Sequence, residues 1–328
     1  MRNRDSDILY CGCDINKIKT AKPRINDKNL AHYLFYNKER TKIYYKKEVL
    51  KESYPWTDSK TLKEYKFTNT KRFLDRTSKD LIKKVLDLDI CIQTKLFNIM
   101  ILRSLFLNSD FLQSGYIDFE KLDSTNDKFD EKYLKEYYLK DLRNFLKVES
   151  KPYFNSGVKL SIQNFLKTKD YLFGFLEMFK TFLKDIKNNY LFSNSPKQIT
   201  ETPFFFGSRF LSYQYFVDLT YCKDYKFSEN EFVISGPGCS KGINFLFEDL
   251  DCLNDEEAIF WLRDNIQNIC DFNPKEIFHF LPEEDQIWSV MDIENSFCEF
   301  SKYMRLIGDS KTNVRKYKII ESTSFNDF

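Results

Sequence analysis

Hydrophobic residues between positions 62 and 86 recur mostly three and four apart, the period of helices that turn one face inward. Residues 29–50 interleave charges with aromatics and predict a helix. Pro55-Trp56-Thr57-Asp58 predicts a turn into the next helix, with Thr57 or Asp58 as its N-cap. Leu62, Tyr65, Phe67, Phe73, Leu74, Leu81, Ile82, Val85 and Leu86 continue at mostly helical spacing. The longest apolar stretch, 91–108, carries Lys95 and Arg103, so it predicts a buried helix packed on that run and not a membrane span. Further helices are expected over 131–147, within 159–190, over 255–270 and over 284–306. Few stretches alternate as strands do, and Glu231–Ser235 is the best of them. The pattern predicts a mainly α chain: a loosely structured basic arm over 1–28, one large multi-helix bundle over 29–320, and a tail over 321–328.

Thr202-Pro-Phe-Phe-Phe-Gly-Ser-Arg209 places a Pro and Gly207 between two helix-like stretches. That is the shape of a helix–hairpin–helix, as in DNA glycosylases of that type. Gly207 permits tight backbone geometry, and the helix that follows presents free backbone N–H groups suited to a phosphate.

Composition sharpens this picture. The 328 residues suit one large or two fused domains. Hydrophobic residues make up 42%, enough for a sizeable core, and 33 Phe with 20 Tyr make that core aromatic. The net charge of +2 hides an uneven distribution. Residues 1–79 hold 20 Lys/Arg against 10 Asp/Glu, whereas 245–300 hold 15 Asp/Glu against 2 Lys/Arg. The basic part suits a polyanion, because Lys and Arg neutralise phosphates and release counterions; two solvated faces of opposite sign are the plainer alternative. The eight Cys are scattered without a CxxC pair, and His32 and His279 stand in unrelated contexts. No zinc pattern results, no metal or cofactor is implied, and reduced thiols in an intracellular protein (nuclear if eukaryotic) are expected. Residues 1–30 are polar and basic, unlike a secretory signal.

Four segments carry candidate chemistry. If Phe67-Thr-Asn-Thr-Lys-Arg-Phe-Leu-Asp75 is helical, Asn69, Arg72 and Arg76 share one side, with Asp75 within reach of Arg72. Arginine and amide groups suit phosphates and base edges; a surface helix with ion pairs is the alternative. In Glu294-Asn-Ser-Phe-Cys-Glu-Phe-Ser-Lys-Tyr303, Glu294, Cys298 and Lys302 share a helical face. Glu299 precedes Lys302 by three, and Tyr303 and Arg305 follow. A carboxylate near a lysine can orient an amine or move a proton, though an amphipathic surface helix would show the same spacing. Gly236-Pro-Gly-Cys-Ser-Lys-Gly242 is a glycine-rich turn. Gly236, Gly238 and Lys241 there could cradle a phosphate or merely connect helices, and the GxxxxGK[ST] spacing of a P-loop is missing. Trp56 could stack on an extruded base, or simply anchor a helix start.

Taken in order, these segments resemble the helical proteins of thymine hypermodification in DNA. That family includes the α-glutamyl/putrescinyl thymine pyrophosphorylases, since read as amino-acid:DNA transferases, and the helical domain attached to 5-hydroxymethyluracil DNA kinases. Gly207, Phe210-Leu-Ser-Tyr-Gln214 and Asp218-Leu219 with Tyr221 fit the same family's hairpin and following helix. Phe204-Phe-Phe206 departs from the Pro-Gly pair of a glycosylase-type hairpin, and the P-loop domain of kinase-fused members has no counterpart in these residues. The resemblance implies a glycosylase-like helical fold acting on modified pyrimidines in duplex DNA. In the transferase branch, an amine replaces pyrophosphate on the 5-methylene carbon of activated 5-hydroxymethyluracil. The implied catalytic residues are Asp218, Glu294, Glu299 and Lys302. Those implied for substrate and DNA are Trp56, Asp58, Asn69, Arg72, Asp75, Arg76, Gly207, Gly236, Gly238, Lys241, Tyr303 and Arg305. An amino-acid or amine donor, and a DNA base kinase or oxygenase, are the implied partners. A non-catalytic DNA-binding module serving such a kinase or oxygenase is the second reading, and an interaction protein that has lost DNA binding is the third.

Overall fold

Ser289 opens the longest C-terminal helix. Its hydroxyl accepts the Asp292 N–H, and the Asp292 carboxylate accepts the Ser289 N–H in return, a reciprocal cap of the first turn. In this computed structural model the chain is described over residues 13–104, 112, 115, 116, 118, 209–223, 228–230, 232–308 and 314–317. Those residues are mainly helical. They form two compact units, one containing Cys13–Arg72 with Ser235 onward, the other containing Phe73–Ile234.

The first unit is built from α1 (Ile15–Thr20), β1 (Arg24–Ile25), α2 (Asp27–Tyr44, continued by a π-helical turn to Val49) and α3 (Lys60–Glu64). Its C-terminal part contributes α7 (Pro237–Leu246), β2 (Phe247–Asp249), α8 (Asp255–Ile269), α9 (Pro274–Ile277) and α10 (Val290–Ile307). The second unit holds α4 (Arg76–Leu81, continued to Leu86), α5 (Ile92–Ser104) and α6 (Arg209–Thr220).

α10 is the spine of the first unit. Val290, Ile293, Phe297 and Phe300 repeat at three and four and are all fully buried. Tyr33 of α2 stacks on Phe297 with ring centroids 5.0 Å apart, meets Phe300 edge-on, and hydrogen-bonds Ser296 at 2.5 Å. α7 also lies against α10, where Gly238 and Gly242 permit close approach. A Cβ at Gly242 would come within 2.7 Å of the Phe297 carbonyl carbon, and one at Gly238 within 2.5 Å of Cys298 Sγ. Pro237 at the first helical position supplies the preset φ of a helix start. β1 and β2 add a short antiparallel pair, Arg24 opposite Asp249 and Ile25 opposite Phe247.

In the second unit α5 packs on α6 through an apolar interior that includes Leu96, Phe97, Leu102, Tyr213, Phe216 and Val217. Inside it, Arg103 donates two hydrogen bonds of 2.6 Å to the fully buried Asp218 carboxylate.

The helices expected at 29–50, 255–270 and 284–306 are present, and the apolar 91–108 stretch is helical to Ser104. Five expectations change. The predicted run from 62 through 86 breaks after α3. Residues 66–71 are irregular, a 3-10 turn covers Arg72–Leu74, and α4 starts only at Arg76. The cap of α3 is Ser59, whereas the Thr57 hydroxyl donates to Glu39 at 2.6 Å and accepts the Ser59 N–H. The Gly236–Gly242 turn is a helix, residues 232–235 of the expected Glu231–Ser235 strand form none, and the strands among the described residues are β1 and β2. Residues 15–25, read as part of the arm, contribute α1 and β1. The stretches 131–147, 159–190, 202–208 and 321–328 lie outside the described residues, so the hairpin and Gly207 do too.

The glycine contact predicts an asymmetric response. Gly242→Ala should cost about 3 kcal/mol or more in denaturant unfolding, because the added carbon meets backbone that cannot move aside. Gly238→Ala should cost less and recover in part when combined with Cys298→Ala. Equal and small losses for both glycine variants would contradict the packing described.

Candidate functional site

Segment 66–72 is a strap of polar residues laid between α2 and α10. Its Thr68, Asn69 and Thr70 are poor helix formers whose side chains compete for backbone hydrogen bonds, and tertiary partners replace the helical ones. Arg40 of α2 donates to the Phe67 and Thr68 carbonyls at 3.0–3.2 Å. Thr41 donates to Thr70 at 3.1 Å. On the other side, Asn295 of α10 donates to the Asn69 carbonyl and the Thr68 hydroxyl, both at 3.1 Å.

Three carboxylates of α10 hold the rest of the strap. Asp292 accepts Lys71 Nζ at 2.8 Å and the Arg72 N–H at 3.0 Å, entirely out of solvent. Glu294 faces the Arg72 guanidinium at 3.7 Å. Glu299 accepts the Thr68 N–H at 3.2 Å and pairs with Lys302. Lys302 is the most open of these charged groups, with 29% of its side chain exposed.

Glu294 is the unusual member. It is 2% exposed, and its Oε1 has no hydrogen-bond partner. Burial pushes its carboxyl up to about 7; Arg72 and the Gly236 backbone N–H at the start of α7 oppose that rise, and Glu299 adds to it. A buried carboxyl titrating near neutrality can both take and give a proton at cellular pH. Its neighbour Cys298 is pushed up to about 12, chiefly by burial and further by Glu299 and Glu294, although Lys302 acts the other way. That thiol stays protonated and is a poor nucleophile.

The structure therefore brings Asn69, Arg72, Gly236, Gly238, Glu294, Glu299 and Lys302 into one neighbourhood of the first unit. Gly238 sits inside α7 under Cys298, as a packing residue. Tyr303 is a core ring between Tyr36 and Phe67. Arg305 donates to the Ser301 carbonyl at 3.1 Å, and Lys241 is exposed on α7. Trp56 and Asp58 lie in the loop before α3. Asp75, Arg76 and Asp218 belong to the second unit. Asp75 is the N-cap residue of α4, Arg76 pairs loosely with Asp80 at 3.9 Å, and both Asp218 oxygens are taken by Arg103. The shared helical side expected for Asn69, Arg72 and Arg76 does not form, because no helix spans 67–75.

Lys71, Asp292 and Asn295 were missed from sequence. The Ser289-x-x-Asp292 capping signature marks Asp292 as a helix-start residue but gives no sign that it also anchors Lys71 and Arg72. Among the described residues no three His, Cys, Asp or Glu side chains group as metal ligands, and no helix is long and apolar enough to cross a membrane.

Fold and site together describe a mainly helical domain with a buried acid–base cluster on its spine helix. The chain belongs to the family of 5-hmdU DNA kinase helical domains, which matches residues 27–312. It is similar to the "5-hmdU DNA kinase" of Bacillus phage SP10, 25% identical over 287 residues, covering 81% of this chain and 43% of that protein. The chain thus spans less than half the length of that relative. No solved structure matches it significantly. The family resemblance read from the ordered motifs is borne out.

The raised Glu294 carboxyl sets a sign for stability against pH. Its folded-state value lies above the ordinary 4.5, so the native state keeps a proton that the unfolded chain releases. Stability from this group is complete below pH 4.5, falls as pH rises toward 7, and levels off above. Glu294→Gln should therefore match wild type near pH 4.5 and exceed it by about 3 kcal/mol at pH 8. Chemical unfolding at both pH values measures this; a variant that is less stable at pH 8 would contradict the assignment.

Proposed function

We propose that this chain acts on 5-hydroxymethyluracil in DNA as part of a base-hypermodifying enzyme, and that the α10 cluster carries an amine-transfer step. The observation behind this reading is Glu294, a buried carboxyl titrating near neutrality beside the Arg72 guanidinium. In the step proposed, the amine nitrogen attacks the 5-methylene carbon of a pyrophosphorylated base. A carbon–nitrogen bond forms, the carbon–oxygen bond breaks, and pyrophosphate leaves with the electron pair. Glu294 takes the proton lost by the amine. Arg72 meets the negative charge developing on pyrophosphate. Lys302, steered by Glu299, holds the anionic part of the donor or leaving group. No role in the step falls to Asp218, whose oxygens are occupied by Arg103.

The second reading is a DNA-binding helical module that presents the base to a kinase. Two observations favour it: the family is that of kinase helical domains, and the matched region is 43% of the phage relative.

Mass spectrometry of nucleosides separates the two. The substrates are duplex DNA carrying pyrophosphorylated 5-hydroxymethyluracil and a panel of amino acids and polyamines. The transferase reading expects an aminated nucleoside with release of pyrophosphate, slowed about 10²–10⁴-fold by Glu294→Gln. Duplex binding without product from any amine would sink the transferase reading in favour of the module.

A further inference from the structure

Next to the α10 cluster, the first unit displays an array of rings and lysines that the transfer step leaves unused. Chain 314–317 runs back along the end of α3: Lys66 N–H donates to the Arg315 carbonyl at 2.7 Å and Tyr317 N–H to the Glu64 carbonyl at 2.8 Å. This pairing sets Tyr317 beside Trp56, whose ring lies 6.3 Å away and is fixed by its Nε1–H donating to the Glu52 carbonyl at 2.7 Å, and brings Lys316 opposite Tyr65. Each ring has an ammonium group at its face: Lys47 at 5.6 Å from the Trp56 centroid, Lys66 at 5.5 Å from Tyr317, and Lys316 at 4.9 Å from Tyr65.

All three lysines are exposed, and the rings are only partly covered. That contrasts with the other aromatic residues of this unit that stack inward around Tyr33. Acidic neighbours hold the cations loosely: Glu64 lies 3.6 Å from Lys316 and Glu48 3.0 Å from Lys47. Exposed pairs of this kind exchange readily for another anion. A flat ring beside an exposed cation is the combination that binds a nucleotide strand, since bases stack and phosphates pair. The array also adjoins the α10 cluster. Two residues beyond Lys66 along the strap, the Thr68 N–H meets Glu299.

We propose that Trp56, Tyr65 and Tyr317, with Lys47, Lys66 and Lys316 at their faces, form a binding surface for a single DNA strand. Unpaired bases stack on the rings while the lysines take the flanking phosphates. This rests on the reading of the chain as a DNA-acting protein but not on the transfer chemistry, so it is tested on unmodified DNA.

The test is fluorescence anisotropy of a labelled oligothymidylate across a salt series with the full chain, beside a duplex of the same length. Intrinsic fluorescence is followed in parallel, because Trp261 and Trp288 are buried and quenching by a stacked base reports on Trp56. The surface predicts a preference for the single strand and quenching on binding. Trp56→Ala should weaken affinity roughly ten-fold or more. Joint replacement of Lys47, Lys66 and Lys316 by Ala should lower the salt slope by about 2. Wild-type affinity in both surface variants, equal or tighter binding of the duplex, or no strand binding at low salt would each overturn the proposal. Because the lysine variants alter only exposed side chains, they test it even if Trp56→Ala unfolds. Loss of amine transfer in Glu294→Gln with no change in the surface variants would remove this surface and leave the transfer reading intact.

Discussion

The close approach of α7 and α10 is the constraint on which the first unit depends. Two glycines one helical turn apart, Gly238 and Gly242, remove the side chains that would hold the helices apart. The Phe297 backbone then lies against Gly242 and Cys298 against Gly238. One consequence is chemical. Glu294, one turn before Cys298, is carried to the start of α7, where the Gly236 N–H opposes the cost of burying its charge. With helices at ordinary separation, water would reach that carboxyl and its titration would return toward that of a free glutamate.

A second consequence concerns the strap. Burying Lys71 with Asp292 is expensive unless each charge keeps several partners, because desolvation of both ions opposes their attraction. Here Asp292 accepts from Lys71, from the Arg72 backbone and from Ser289, while Lys71 also reaches the Ile287 carbonyl. Such a network specifies one register for the strap more than it adds stability. It fixes Arg72 opposite Glu294 and Thr68 opposite Glu299. The strap's neighbours on α2 serve the same end. The inward face of α2 turns from apolar Leu30 and Tyr33 to polar Asn37, Arg40 and Thr41 where it meets the strap.

Much of this was legible in the sequence, for identifiable reasons. The helices carrying strong period and clear caps, α8 and α10, stand where they were expected, as does α2, whose period is weak but whose start Asn26 caps, and Glu294, Cys298 and Lys302 share the face inferred from their spacing. The strap was misread because Phe67, Phe73 and Leu74 mimic helical spacing while Thr68 and Asn69 answer to partners some 230 positions away in sequence. No local rule sees such partners. Gly238 and Gly242 suggested a phosphate turn because glycine signals turns and close contacts alike; only the position of α10 shows which applies. The pairing of Asp218 with Arg103 was equally invisible, since two helices distant in sequence bring them together.

Glu294 stands at the centre of the site as a buried carboxyl poised near neutral pH by its place between α7, α10 and Arg72. A carbon-13 NMR titration of the glutamate side-chain carboxyls, with Glu294 assigned by its absence in Glu294→Gln, addresses this most directly. The account predicts a midpoint near 7 for that one resonance. A midpoint at the ordinary glutamate value near 4.5 would contradict it.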